Sequence, residues 1–221
     1  MDTYKERLER LDTTCVSDAM DRLGIPCGLM GIKPVLTGSR ICGEAFTVHY
    51  VPCGTVKGTV GDFLDDVKPG QIVVIDNNGR SDCTVWGDIM TITSVKKNIG
   101  GTLIDGVCRD IPGIKNQDYP IFSKGFYMVT GKDRVEVDAV NIPVSICGVR
   151  VCPGDIIMGD DTGAIVIPKH DVDQVVKVAE EIDKKEKDII ELVKAGRTLK
   201  EARELTGYHH LQTKIESGGI I

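Results

Sequence analysis

Asp88, Arg109 and Asp110 are the residues whose types and spacing point most directly to chemistry. Twenty residues separate Asp88 from the Arg109-Asp110 pair, in the stretch WGDIMTITSVKKNIGGTLIDGVCRD. Two carboxylates beside a guanidinium suit a divalent cation together with a small carboxylate ligand. Arginine offers a planar fork that matches a carboxylate. A hard cation such as Mg²⁺ takes one or two carboxylates and keeps several waters.

The elements that must bring these groups together are legible in the same stretch. Ile89 to Asn98 reads as a short helix, with Asp88 as its N-cap. Ile99-Gly100-Gly101 ends that helix, because glycine accepts the positive φ of a helix terminus. Thr102-Leu103-Ile104 reads as a buried strand closed by the turn pair Asp105-Gly106. Arg109-Asp110 then falls in a loop, and Pro112 sits where a second helix can start. A helix followed by a returning strand is compact, so Asp88 and Asp110 can lie close together. The free N–H groups of Ile89 and Met90 at the helix start would attract an anion. A plainer reading stands beside this one. Asp88 is then only a cap, Asp110 caps the helix at Pro112, and Arg109 is a surface residue paired with either.

Composition narrows the function classes. The 221 residues are 41% hydrophobic and 27% charged, with a formal net charge of −6. A single large domain, or a domain with an appendage, is expected. Without a long basic run, and with 5% aromatics, neither a phosphate-binding face nor a base-stacking platform is expected, so nucleic acid is not the anticipated partner. The first residues, MDTYKERLERLD, are charged and helical in pattern. No stretch has the length and apolarity of a membrane span. A cytoplasmic protein without a membrane partner is the expectation. The cysteines at 15, 27, 42, 53, 83, 108, 147 and 152 include no Cys-x-x-Cys pair, and read as buried or idle thiols in a reducing compartment. The histidines at 49, 170, 209 and 210 have no zinc-ligand spacing.

Along the chain, Thr13-Thr14 followed by CVSDAMDRLG reads as a capped helix ending near Gly24. Residues 25–43 read as loop, with Ile41 starting a strand, and Ala45 to Val51 reads as strand. Gly58 to Asp66 reads as a short helix. Its nearby glycines lack the Lys-Ser/Thr of a phosphate loop. VKPGQIVVIDNNG (67–79) and VCPGDIIMGDDTG (151–163) align without gaps. Each reads as a Pro-Gly turn, an apolar strand and an Asp-x-x-Gly turn, forming two equivalent edges of one β core. Asp76 and Asp160 are then turn residues rather than ligands. Further strands are expected at 126–129, 144–146, 149–151 and 164–167. This mixture suggests an α+β or α/β sandwich. Asp171 is expected to cap a long helix ending before Gly196, with an apolar stripe of Val172, Val175, Ala179, Ile182, Ile189 and Val193. Glu186 interrupts that stripe. A carboxylate there is costly unless the face is wet or a partner is near. Residues 197–221 read as another helix and a loose tail.

Asp-X20-Arg-Asp resembles the signature of the class II pyruvate aldolases of the 4-hydroxy-4-methyl-2-oxoglutarate aldolase family. That family shares its fold with the regulator of ribonuclease activity A. The resemblance runs from about Thr13 to Pro168 and includes VSDAMDRLG (16–24), VKPGQIVVIDNNG (67–79), GGTLIDGVCRD (100–110) and IPVSICGVRVCPGDIIMGDDTGAIVIP (142–168). It implies an α/β fold of layered α/β/β/α type. Residues 1–170 would form one catalytic domain and 171–221 a helical extension packing on the core or on a neighbouring subunit. It further implies a Mg²⁺- or Mn²⁺-dependent lyase that cleaves 4-hydroxy-2-oxo acids to pyruvate and decarboxylates oxaloacetate. In that scheme Asp110 binds the metal directly and Asp88 through a water. Arg109, with Gly87 and the amides of Ile89 and Met90, holds the substrate carboxylate. A glutamate from a neighbouring subunit's C-terminal helix enters the site of a trimer or hexamer, and Glu186 resembles it, with Glu180 and Glu181 as competitors. The alternative implied by the shared fold is a regulator-like inhibitor that binds a protein partner without catalysis.

Overall fold

A computed structural model describes residues 3–56 and 58–208. The chain divides into two compact units, one spanning Gly28–Lys169 and the other joining the residues up to Cys27 with those from His170 onward.

The first unit is built on an eight-stranded sheet. Its strands are β1 (Lys33–Pro34), β2 (Ile41–Pro52), β3 (Ile72–Thr84), β4 (Gly101–Cys108), β5 (Ile121–Phe126), β6 (Val135–Val140), β9 (Ile156–Asp160) and β10 (Gly163–Ile167), in the order β1-β5-β4-β3-β2-β9-β10 with β6 also pairing β2. The strands β2 to β5 are parallel, in registers such as Ala45 with Ile72, Ile72 with Gly101 and Thr102 with Ile121. Their crossovers carry a 3-10 helix at Asp62–Asp66, then α3 (Asp88–Lys96) and α4 (Ile111–Gln117). Two apolar layers follow from strand alternation. Val48, Val73, Ile75 and Ile104 pack with Phe63, Trp86, Ile114 and Tyr119 on the helix side. Ile72, Val74, Leu103 and Phe122 pack on the other side with Val144, Ile146 and Val151. The last three come from a hairpin of β7 (Val144–Ile146) and β8 (Val149–Val151). The α/β class expected from the sequence holds, with helices over one face of the sheet and a small second sheet over the other.

Several local readings change. The two repeats do place their strands alike about β2, β3 parallel on one side and β9 antiparallel on the other. Neither strand is an edge, because β4 and β10 cover them. Asp160 does end its strand in a turn, accepting from the Thr162 N–H at 2.8 Å. Asp76 does not. β3 continues to Thr84 through a register shift after Asp76, with Asn78 and Gly79 both at positive φ. Asp76 is buried, and its carboxylate meets His49 Nδ1 at 3.1 Å. Likewise Asp105-Gly106 is not a turn. The fully buried β4 runs through it, and Asp105 pairs with Lys124 at 2.6 Å. An ion pair lets the strand carry a carboxylate inside the fold. The helix expected over 58–66 shrinks to the five-residue 3-10 turn, and the strand expected at 126–129 ends at Phe126.

The second unit is helical. It comprises α1 (Tyr4–Leu8), α2 (Thr13–Leu23), α5 (Val172–Lys194) and α6 (Leu199–Thr206). Asp12, one residue before the expected Thr13, caps α2 by accepting from the Cys15 N–H at 2.7 Å, and Gly24 closes it in the left-handed region. Asp171 precedes α5 without a side-chain cap bond. The stripe Val172, Val175, Ala179, Ile182 and Ile189 is buried as the spacing predicts, whereas Val193 is exposed. A capping box of Thr198 and Glu201 starts α6. His209 and His210, with the expected tail to 221, lie outside the described residues. Among the described residues no helix is long and apolar enough to cross a membrane.

Candidate active site

The start of α3 and the end of β4 form one wall of a cleft of about 400 Å³. Gly87, Asp88, Ile89, Met90, Arg109 and Asp110 all line it. Six sequence-predicted site residues, drawn from two segments twenty residues apart, therefore share one cavity. The register explains the juxtaposition. β4 lies beside β3 and pairs Val107 with Thr84. The chain leaving β3 and the chain leaving β4 emerge together, at the carboxyl ends of parallel strands where α/β sheets present their ligand crevices.

The capping pattern differs from the expected one. Gly87, not Asp88, is the N-cap of α3, and its carbonyl accepts the first helical bond from the Thr91 N–H at 3.1 Å. Asp88 is the first helical residue. The N–H groups of Ile89 and Met90 precede that first bond, so they are the helix's unsatisfied donors. Asp110 occupies the N-cap position of α4 but makes no cap bond there. Its backbone is left-handed, at φ 61° and ψ 39°. Asparagine and aspartate tolerate that region better than other non-glycine residues, yet it still costs on the order of 1 kcal/mol. The conformation turns the carboxylate away from its own helix. Asp110 Oδ2 instead accepts from the Asp88 N–H at 3.3 Å and lies 3.3 Å from Arg109 Nε. Arg109 is held in turn by its own N–H, which donates to the Trp86 carbonyl at 3.0 Å.

Two glycines make room for this packing. A Cβ at Gly87 would stand 2.5 Å from Asp110 Oδ2 and 3.4 Å from Arg109 Nε. A Cβ at Gly113 would stand 2.8 Å from the Asp88 Cβ. Both contacts lie below or at the edge of ordinary van der Waals separation. The sequence carried no signal for Gly113, because the need for a bare Cα comes from a side chain twenty-five residues away.

Sequence reasoning also missed the opposite wall. Thr59, Val60, Gly61, Asp62, Leu64 and Asp65 come from the chain before and within the 3-10 helix, and Thr130, Gly131 and Lys132 follow β5. These residues lie in loops or in a single short helical turn, and none belongs to a pattern that points to chemistry. Trp86, directly before Gly87, is the one residue that its rarity could have flagged. The cleft's ionisable lining is four carboxylates (Asp62, Asp65, Asp88, Asp110) against two cations (Arg109, Lys132). That excess of two negative charges favours a divalent cation. Among the described residues no three His, Cys, Asp or Glu side chains gather into a metal cage. One or two carboxylates, completed by water and a chelating ligand, form the donor set that Mg²⁺ and Mn²⁺ accept. The residues present fit such an ion.

Glu186 belongs to the helical unit, where it is partly buried on α5. Its carboxyl is held above the ordinary glutamate range by burial first, then by the charges of Asp18, Asp12 and Asp183. The nearby Cys15 thiol is pushed up to about 12, mainly by burial and then by Glu186. The competitors Glu180 and Glu181 are turned to basic partners, Glu180 to Arg7 at 2.6 Å and Glu181 to Arg22 at 3.8 Å.

The RraA-like sequence profile, described as Aldolase/RraA, matches residues 13–166. The chain belongs to the Aldolase/RraA family. Among Aldolase/RraA relatives, it is 41% identical over 209 residues to Protein DlpA of Legionella pneumophila. That match takes in 92% of the chain but only 34% of DlpA, so the chain spans about a third of that relative's length. It is 34% identical over 171 residues to a Halalkalibacterium halodurans protein named "Putative 4-hydroxy-4-methyl-2-oxoglutarate aldolase", covering 76% of the chain and 78% of the relative. A crystal structure of an uncharacterized protein from Pseudomonas syringae pv. tomato superposes with a TM-score of 0.87 at 42% identity, covering 91% of the chain and 93% of that protein.

Proposed function

We propose that this Aldolase/RraA member is a divalent-metal-dependent lyase that cleaves 4-hydroxy-2-oxo acids to pyruvate and a carbonyl compound, and that it decarboxylates oxaloacetate. The observation that carries this reading is the meeting of Arg109, Asp110, Asp88 and the α3 N-terminus in one acidic cleft. An inhibitor that binds a protein partner has no need of that combination in a cavity.

Asp110 would hold Mg²⁺ or Mn²⁺ directly and Asp88 would hold it through water. A bound divalent cation supplies Lewis-acid stabilisation of negative charge developing on the 2-oxo oxygen. Arg109 and the N–H groups of Ile89 and Met90 bind the C1 carboxylate, a planar anion that suits both a guanidinium fork and a helix N-terminus. Gly87 lets Asp110 and Arg109 close over the backbone. For a 4-hydroxy-2-oxo acid, Asp88 or Glu186 accepts the 4-hydroxyl proton through water. The C3–C4 bond then breaks, its electron pair forming the enolate of pyruvate while C4 becomes the carbonyl of the leaving product. Return of one proton to C3 completes pyruvate. With oxaloacetate the same C3–C4 cleavage releases carbon dioxide, and no hydroxyl proton is involved. Lys132 faces the cleft from the other wall and suits a distal carboxylate.

The reading includes a trimer or hexamer whose sites lie at subunit interfaces, with Glu186 supplied by a neighbour. Its support is a set of openly exposed apolar side chains, one of which, Ile89, lines the cleft. Ile89 and Ile92 on α3 are 76% and 50% exposed, and Phe126 and Met128 stand 67% and 73% exposed. Apolar side chains displayed this openly fit a contact surface.

The test is pyruvate release from a panel of 4-hydroxy-2-oxo acids and from oxaloacetate, with Mg²⁺ or Mn²⁺ and with EDTA. Metal-dependent release that EDTA abolishes supports the lyase. No release from any substrate with either metal rejects it in favour of a protein-binding role.

A further inference from the structure

We infer that Trp86 is a positioning residue that acts through Thr91 to aim the Asp110 carboxylate; the activity arm of its test rests on the lyase reading, and its exchange arm does not. Trp86 is the only tryptophan in the chain. It is buried at 2% exposure and stacked parallel to Tyr119, with centroids 6.2 Å apart. Packing alone would be served by phenylalanine. The indole adds one donor, Nε1–H, and that donor has a defined use.

Trp86 Nε1 donates to Thr91 Oγ1 at 3.0 Å, and the Thr91 hydroxyl donates to the Gly87 carbonyl at 2.9 Å. The Thr91 N–H donates to the same carbonyl at 3.1 Å. The Gly87 carbonyl and the Asp88 N–H belong to one planar trans peptide, so they point in opposite directions. Fixing the carbonyl into the helix therefore turns the N–H outward, where it donates to Asp110 Oδ2 at 3.3 Å. Indole, hydroxyl and peptide thus donate in turn in a single sense, and the chain ends on the carboxylate as acceptor. Bonds aligned in this way polarise one another. Trp86 and Thr91 are both buried, so water cannot readily replace a missing link. The main chain of Trp86 also accepts the Arg109 N–H at 3.0 Å. One residue thus holds α3's first turn by its side chain and the Arg109 segment by its backbone.

Three variants test this: Thr91→Val, Thr91→Ser and Trp86→Phe. Thr91→Val removes the hydroxyl link and leaves Trp86 in place. Thr91→Ser restores it. The first readout is amide hydrogen exchange at Asp88, which requires neither metal nor turnover. Exchange at least tenfold faster in Thr91→Val than in wild type, with Thr91→Ser near wild type and remote amides unchanged, is the expected result. The second readout is calorimetric titration with Mn²⁺. Groups that orient a ligand are typically worth about 10–100-fold in affinity, so Thr91→Val and Trp86→Phe should bind more weakly by that order. The third is the kinetic split, with kcat falling while KM stays within about threefold. Should Thr91→Val fail to fold, as judged by emission of the single buried tryptophan, Trp86→Phe carries the same exchange and titration arms. Wild-type Asp88 exchange and wild-type Mn²⁺ affinity in the folded variants would overturn the inference. A wild type that neither releases pyruvate nor binds Mn²⁺ rejects the lyase reading instead, and the Asp88 exchange then decides the positioning role alone.

Discussion

Replacing Gly87 by alanine adds one methyl group to the most crowded point of the site. The backbone there is extended, at φ −152° and ψ −166°, so alanine meets no conformational penalty. The whole effect is steric. The new Cβ would stand 2.5 Å from Asp110 Oδ2 and 3.4 Å from Arg109 Nε. An ordinary carbon–oxygen contact needs roughly another 1 Å. The carboxylate must withdraw by about that distance, and its bond from the Asp88 N–H, already 3.3 Å long, breaks. A hydrogen bond to a charged group is worth about 1.5–3 kcal/mol, and Asp110 is over a third exposed, so solvent recovers much of that. Stability should therefore fall by no more than about 1 kcal/mol. Catalysis is less forgiving, since misplacing a reacting group by about 1 Å can cost about 10²-fold. The expected outcome is a folded Gly87→Ala protein with pyruvate release lowered about a hundredfold and Mn²⁺ binding weakened in parallel. Thermal denaturation, a coupled pyruvate assay and calorimetry measure the three quantities. Turnover within twofold of wild type would refute the reasoning, because Asp110 would then have room the structure denies it.

Arg109→Lys should lose at least a hundredfold in kcat/KM while keeping its fold, because a point charge cannot reproduce the two-pronged carboxylate contact; near-normal kinetics removes Arg109 from the mechanism. Asp110→Asn should weaken Mn²⁺ binding more than Asp88→Asn does, since a direct ligand loses more than one acting through water, and equal affinity in Asp110→Asn and wild type by calorimetry rejects the assignment. Mixing Glu186→Ala with Arg109→Ala subunits should restore activity, because some interfaces of a mixed ring pair two intact residues. Light scattering that finds a monomer, or no recovery after verified subunit exchange, rules out the shared site. Glu186 also makes a stability prediction. Its folded pKa is raised above 4.5, so its charged form opposes folding, and the favourable contribution present below pH 4.5 is lost as pH rises through the folded pKa. Glu186→Gln should therefore raise Tm at pH 7.5 relative to wild type, with the gain vanishing near pH 4; an unchanged difference across that range contradicts the burial argument.

The sequence alone carried the signals that act over one or two turns of chain. The apolar period of 172–189 determined the buried face of α5, because side chains three and four apart must share a side of a helix. The Pro-Gly pairs at 69–70 and 153–154 determined two turns, since Gly70 and Gly154 adopt the positive φ that such turns require. The spacing of Asp88 from Arg109-Asp110 determined that one helix and one strand separate them. What the tertiary structure decided was which partners those groups meet. Two readings of Asp110 stood open, a cap for the helix after it or a neighbour of Asp88, and its left-handed backbone decides for the second by sending the carboxylate to the helix before β4. That choice depends on β3 and β4 lying side by side, a contact between distant segments that no local pattern encodes. Asp76 and Asp105 read as turn residues because each falls in a turn pattern, Asp-x-x-Gly at 76–79 and Asp-Gly at 105–106. Their partners His49 and Lys124 come from neighbouring strands, and only the sheet brings them into reach. Gly87 stood out only through the family resemblance and Gly113 not at all, yet each is bare because a side chain from elsewhere occupies the space of its Cβ. Local sequence specifies the elements, and the strand register specifies the site.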